Sequence, residues 1–243
     1  MPNAKTHLLS GVAAALLAGA AMFAALPGHD ARAETPAPDS GHLARLEAHI
    51  DRALDGGTLK TVDGAALLDS DVLLKIYVYA YGKRPVDYSA ILTADTQAID
   101  PPTPVQPTAA QKAAIDRLLQ AARAHPKVLI RAHEIALFPY DAKAGGYVMQ
   151  NRIFAKLAGK GYFFDNSPYH FVYVDFEPFS VWRTADPAKR QSIDTAIKDF
   201  EQFNLDIVGQ VVASGGDSIS IKPLAATLKD NVGGTVLTEG GGA

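Results

Sequence analysis

Asp175 and Glu177 are the two side chains whose types and spacing come closest to a reactive pair. If both lie on one strand, alternate positions put the two carboxylates on the same face, roughly 7 Å apart. At that separation they could bind a divalent cation or divide the acid and base roles of a hydrolase. His170 would then sit on the opposite face, and an exposed polar face of an antiparallel sheet gives the same pattern with no chemistry at all. Glu134 is the next candidate, because it interrupts an apolar alternation and a buried carboxylate has to be paired or protonated. A strand end reaching water accounts for it equally well. His133 precedes it, but strand neighbours point to opposite faces, so the two share a site only across a β-bulge.

Weaker signals surround these. Gly216-Asp217-Ser218 is similar to the nucleophile motif of GDS-type esterases, yet it falls late in the chain with no Asp-x-x-His after it to supply acid and base. No G-x-S-x-G, Walker loop, G-x-G-x-x-G or H-E-x-x-H occurs, so the sequence calls for no cofactor. His42 and His49 lie two turns apart on a predicted helix, too far apart for one metal. Tyr77, Tyr79, Tyr81 and Tyr88 could form an aromatic surface for a glycan or peptide, or bury their rings and send their hydroxyls to water. Trp182, the only tryptophan, reads as core or sheet-end packing.

The elements that would position these residues change character along the chain. Leu43, Leu46, Ile50 and Leu54 recur at helical spacing, with Gly56-Gly57 as a stop. Asp69 to Tyr81 carries Leu73, Ile76, Tyr77 and Ala80 at helical intervals, although Ile76 to Tyr81 also alternates as a strand would, and Gly82 ends it. Pro101, Pro102, Pro104 and Pro107 make residues 100–107 extended and stiff. Thr108-Ala109-Ala110-Gln111 is a capping box opening a helix to about Ala124, with Ile115, Leu118, Leu119 and Ala122 on its inner face.

Beyond Pro126 the period falls to two. Lys127 to Phe138 reads as a strand whose even positions face the core, and Pro139 to Gly146 as a loop leading to a second strand at Tyr147 to Phe154. A third strand is expected from Tyr169 to Trp182. Asp186-Pro187 opens a helix burying Ile193, Ala196, Ile197 and Phe200. Strands at Ile207 to Ala213 and Ser218 to Pro223 meet at a Ser214 to Asp217 turn. Helices followed by hairpin-linked strands predict an α+β fold: N-terminal helices, then a mainly antiparallel sheet with packed helices.

The N-terminus carries Lys5, an apolar run from Leu8 to Leu26 and the small-residue exit Ala31-Arg32-Ala33, the three parts of a secretory signal peptide. Cleavage after Ala33 would leave a periplasmic protein with no stable membrane span, starting at Glu34. Loss of Lys5, Asp30 and Arg32 takes the net charge from -3 to -4. No basic face beyond pairs such as Lys83-Arg84 is present to attract nucleic acid. With no cysteine in its 243 residues the chain has neither a lipid acceptor nor a disulfide framework, so packing alone must stabilise it.

The order of elements from Leu129 onward, with Phe138-x-Tyr140-Asp141 as its local motif, resembles a bacterial family of exported proteins known only as a domain of unknown function. That resemblance implies no activity, cofactor or catalytic residue. The expected organisation is a signal peptide (1–33), a helical region (34–99), a Pro-rich linker (100–107), an α+β domain (108–230) and a flexible tail (231–243). The expected role is a non-catalytic binding module for an envelope protein or polymer. The alternative is a metal-assisted periplasmic hydrolase built on Asp175 and Glu177, with Glu134 or His133 in support.

Overall fold

The computed structural model describes residue 48 and residues 50–97, 106–150, 169–230 and 236–240. The leader ending at Ala33, His42, His49, residues 100–105 of the proline-rich segment and residues 151–154 of the second predicted strand lie outside the described residues. Residues 39–243 form one compact unit.

Residues 48 and 50–54 are helical ahead of a 3-10 turn at Asp55–Gly57, and Ser70 then starts α1 (Asp71–Tyr81) by accepting a hydrogen bond from the Leu73 amide, the helix running until Gly82. Residues 71 to 79 are all buried, so α1 is covered on every side rather than along one stripe. It packs on α2 (Tyr88–Gln97), on α3 (Ala109–Ala124) and on the sheet. The capping box forms as the sequence predicts: Thr108 accepts from the Gln111 amide at 3.2 Å, and the Gln111 side chain accepts from the Thr108 amide at 3.0 Å. Ile115, Leu118, Leu119 and Ala122 are buried on its inner face. Three bonds join α3 to the end of α1: Tyr77 donates to the His125 carbonyl, Tyr81 to the Ala122 carbonyl and Arg123 to the Ala80 carbonyl.

The fold is α+β. Its main sheet has the order β1 (Thr61–Val62), β2 (Ala65–Leu67), β3 (Lys127–Ile135), β7 (Phe203–Gly215) and β8 (Ser218–Lys229). β5 (His170–Tyr173) and β9 (Val236–Gly240) both pair with β8. Pairing is antiparallel except β2 with β3 and β5 with β8. A second, two-stranded sheet joins β4 (Tyr147–Val148) to β6 (Val181–Trp182). Residues 34–99 are therefore not simply helical: the β1–β2 hairpin gives them an edge of the main sheet. The expected flexible tail contributes β9.

Two bulges set which side chains face inward. On β3 the register slips between Ala132 and Ile135, with Glu134 at φ 59°. Buried positions change there from Val128, Ile130 and Ala132 to Ile135 and Leu137, so Phe138 faces outward instead of into the core. On β8 the extra residue Leu224 does the same, shifting the buried set from Ile219 and Ile221 to Ala226 and Leu228. This bulge lets the strand pass Pro223, where the sequence expects it to end, because a bulge tolerates a residue without an amide donor. Gly209 lies opposite Pro223, and a β-carbon there would run into the Ile221 side chain.

The expected strand from Tyr169 to Trp182 is broken. β5 stops at Tyr173, Asp175 takes a left-handed conformation at φ 53°, and Glu177–Phe179 form a 3-10 turn containing Pro178 before β6 begins. In α4 (Pro187–Lys198), Asp186 caps the first turn and Ile193 and Ala196 are buried as expected. Phe200 is the exception. It sits at φ 57° beyond the helix and is 91% exposed, because the chain must reverse there to enter β7.

The cap on α3 is testable. Thr108→Ala removes the acceptor for an otherwise unpaired first-turn amide and should lower unfolding stability by about 1 kcal/mol in urea titration. An unchanged midpoint would mean that packing alone holds the helix.

Candidate functional site

The break in the third strand removes the shared face on which the sequence paired Asp175 and Glu177. Asp175 lies on the turn after β5 and makes an ion pair with Lys222 at 3.1 Å, whereas Glu177 opens the 3-10 turn. They share no strand face, so the 7 Å argument from alternate positions does not apply to them. Glu134 is exposed at the β3 bulge, as a strand end reaching solvent would be. The bulge leaves His133 exposed too, but His133 Nδ1 is engaged by the Asn204 side chain at 2.7 Å. His170 is on β5. Ser218 of the Gly-Asp-Ser turn donates to the Gly215 carbonyl, and Asp217 is held by Arg84, so the motif is a hairpin tip. Among the described residues no group of three or more His, Cys, Asp or Glu is placed to hold a metal.

The tyrosine series belongs to the core. Tyr77 and Tyr79 are buried, while Tyr81 and Tyr88 are half-buried. Burial first, then the neighbouring Tyr81, pushes the Tyr77 hydroxyl above the usual phenol range; burial and the Tyr169 hydroxyl do the same to Tyr79. Trp182 is fully buried, and its Nε1 finds no acceptor among the described residues.

A charged cluster that sequence reasoning did not single out runs inward from the hairpin tip. Arg84 Nη1 donates to Asp217 Oδ1 at 2.8 Å, and the guanidinium lies 4.2 Å from the Tyr79 ring centre and 5.3 Å from that of Tyr169. The Tyr79 and Tyr169 hydroxyls are 3.5 Å apart. Below them Lys75 Nζ sits 5.0 Å from the centre of the Tyr169 ring. Lys75 is 1% exposed and Asp71, one turn earlier, 7%. Lys75 Nζ donates to the Ala90 carbonyl at 2.6 Å and the Ile91 carbonyl at 3.4 Å, and it lies 3.3 Å from Asp71 Oδ2 in an ion pair without a hydrogen bond. Lys75 is thus a clamp between α1 and α2 rather than a free nucleophile. Arg84 differs, since its Nε and Nη2 atoms are buried without an acceptor. Buried donors left in that state cost about 1–3 kcal/mol each.

One sequence signal was available for part of this cluster: Asp71 and Lys75 are charges four apart in the otherwise apolar run Asp71-Val72-Leu73-Leu74-Lys75-Ile76. Nothing linked Arg84 to Asp217, which lies 133 residues away.

A second feature is an aromatic patch on the loop after β3. Asp141 Oδ1 accepts from the Lys143 amide at 2.7 Å and the Ala144 amide at 3.3 Å, and Asp141 bridges to Gly146, so the loop is a tight, internally bonded turn. It presents Phe138, 50% exposed, and Tyr140, 38% exposed. The Tyr140 ring meets the edge of Tyr147 at 5.5 Å and lies 4.6 Å from the Arg190 guanidinium of α4. Tyr147 donates to Asp194 Oδ1 at 2.8 Å, and burial together with that bond raises its pKa. Arg190 and Asp194 also line a groove of about 350 Å³ along α4, with Gln191 and Lys198. Aromatic faces beside a guanidinium, carboxylate and amide suit non-covalent recognition of a ligand with apolar faces and polar edges.

No family model, curated protein or solved structure matches the chain. No helix among the described residues is long and apolar enough to cross a membrane.

Two predictions follow from the cluster's charges. Lys75→Met strands Asp71 in the interior and should cost about 3–5 kcal/mol in urea unfolding. Asp71→Asn combined with Lys75→Met should recover most of that loss; equal losses would show that the pair is not coupled. The buried tyrosines hold their protons more tightly folded than unfolded, so their contribution is complete below the ordinary phenol pKa of about 10 and is lost as pH rises beyond it. Unfolding midpoints measured from pH 8 to 11 should hold level and then fall; a level course throughout would contradict the raised values.

Proposed function

We propose that the protein is an exported, non-catalytic binding module that holds a protein or polymer of the bacterial cell envelope. The observation that carries this reading is the aromatic patch: two exposed rings on a turn stiffened by Asp141, with Tyr140 braced by Tyr147 and Arg190. Rings fixed in advance lose little conformational entropy on contact, which is what makes aromatic side chains effective anchors. The leader from Lys5 to Ala33 supports an envelope location, and the strand face on which the hydrolase alternative set Asp175 and Glu177 is interrupted after Tyr173.

The test has two parts. N-terminal sequencing of the protein from a periplasmic extract should begin at Glu34. Immobilised wild-type protein should retain an envelope component that Phe138→Ser/Tyr140→Ser, with an unchanged circular dichroism spectrum, releases at physiological salt. Equal retention by both would remove the patch from the reading. Divalent-cation binding of defined stoichiometry, with hydrolysis lost on Asp175→Ala, would replace the binding module with the hydrolase.

A further inference from the structure

We infer that the aromatic patch and the grooves along α4 form one site for a neutral β-linked glycan chain, an assignment that rests on the patch being the recognition surface proposed above. Arg190 joins the two features, because its guanidinium lies 4.6 Å from the Tyr140 ring and the same residue lines the groove of about 350 Å³. A second groove, of about 430 Å³, runs past Ser192, Glu201 and Asp230. Gln191 and Thr195, one turn apart on the exposed side of α4, line both, so the grooves meet along the helix. Each is within the size range of small-molecule sites, and together they make a trough for an extended ligand. The far end of α4 carries a ring of its own. Phe200 closes the helix in a Schellman turn, in which the Glu201 amide donates to the Ala196 carbonyl at 2.9 Å. Glycine is the usual residue at that position, yet Phe200 takes it at φ 57° with its side chain in water. Stability alone favours neither the strain nor the exposed ring, and strained residues cluster at ligand sites.

The lining selects the ligand's chemistry. Among the described residues the grooves present amide, hydroxyl and charged side chains, and their apolar lining is confined to Ala185, Pro187, Ala188 and Ala196. A protein partner is held by large side chains seated in apolar pockets, and these grooves offer none. Sugars need the opposite arrangement: polar groups for their hydroxyls and aromatic rings for the C–H faces of the pyranose. Charge excludes a polyion. Arg190 and Lys198 against Asp194 make the first groove positive, whereas Glu201 and Asp230 make the second negative. Asp186, Lys189 and Asp199, outside the lining, add both signs. A polyion of either sign would be repelled along part of its length, and a neutral chain would not. A β-1,4-linked chain is straight enough to follow a helix, while an α-1,4-linked one curls away from it.

The experiment is calorimetric titration of the full chain with hexamers of β-1,4-linked glucose and of β-1,4-linked N-acetylglucosamine, with the corresponding dimers and with maltohexaose. At least one β-linked hexamer should bind saturably, roughly tenfold tighter than its dimer and than maltohexaose, because only it spans the trough. Its affinity should change less than about twofold between roughly 50 and 500 mM sodium chloride, as a neutral ligand requires. Gln191→Ala/Thr195→Ala keeps the helix and should weaken the hexamer roughly tenfold. Phe200→Gly relieves the positive φ, so it should raise the unfolding midpoint in urea while weakening the hexamer about fivefold. No saturable binding by either hexamer, equal binding of dimer and hexamer, or full affinity in either variant would each overturn the assignment. If it falls while Phe138→Ser/Tyr140→Ser still releases an envelope component, the patch stands as a binding surface and its occupant is a protein, so the two readings fail separately.

Discussion

A helix buried on all sides has no water toward which a charge can be turned, and α1 contains both Asp71 and Lys75. Each ion must then be compensated by the protein or lose its charge. Only part of the compensation comes from outside the helix: Lys75 reaches two carbonyls of α2, while Asp71 pairs with Lys75 and stands at the first turn of α1, where the helix dipole favours an anion. The position of α2 against α1 is thereby specified by a charge, not only by apolar contact. Without disulfides, this polar clamp and the hydrophobic core share the task of fixing a single arrangement.

The long β7–β8 hairpin is the other half of the scaffold. Its inner face supports α1, and near its tip Ser214 donates to the Val78 carbonyl close to the end of that helix. This contact carries the tip to Arg84, and the His170 amide, donating to the Asp217 carbonyl, adds β5 beside it. The bulges on β3 and β8 matter for the same reason. Each reverses the inward parity of its strand once, which keeps both ends of a twisted sheet packed and turns selected residues outward. Phe138 reaches the surface because of the β3 bulge.

The surface proposed for recognition depends on such placement: a turn held by Asp141 fixes Tyr140 against Arg190, and the chemistry it supports is stacking, charge and hydrogen bonding.

What the sequence determined by itself was local. The capping box at Thr108, the Asp186-Pro187 start of α4, the stop at Gly82 and the α+β class follow from backbone and side-chain preferences over a few residues, and all appear in the structure. The shared strand face of Asp175 and Glu177 was misread because period two was extended through a left-handed residue and a proline turn, and the inward position of Phe138 because a bulge changes parity without any marker in composition. Lys75 was legible as a charge within an apolar run, but its acceptors were not. Only the tertiary structure decided that Arg84, Asp217, Tyr79 and Tyr169 would meet. Such contacts arise from how a helix end and a hairpin tip pack, and side-chain spacing along the chain carries no record of that distance in space.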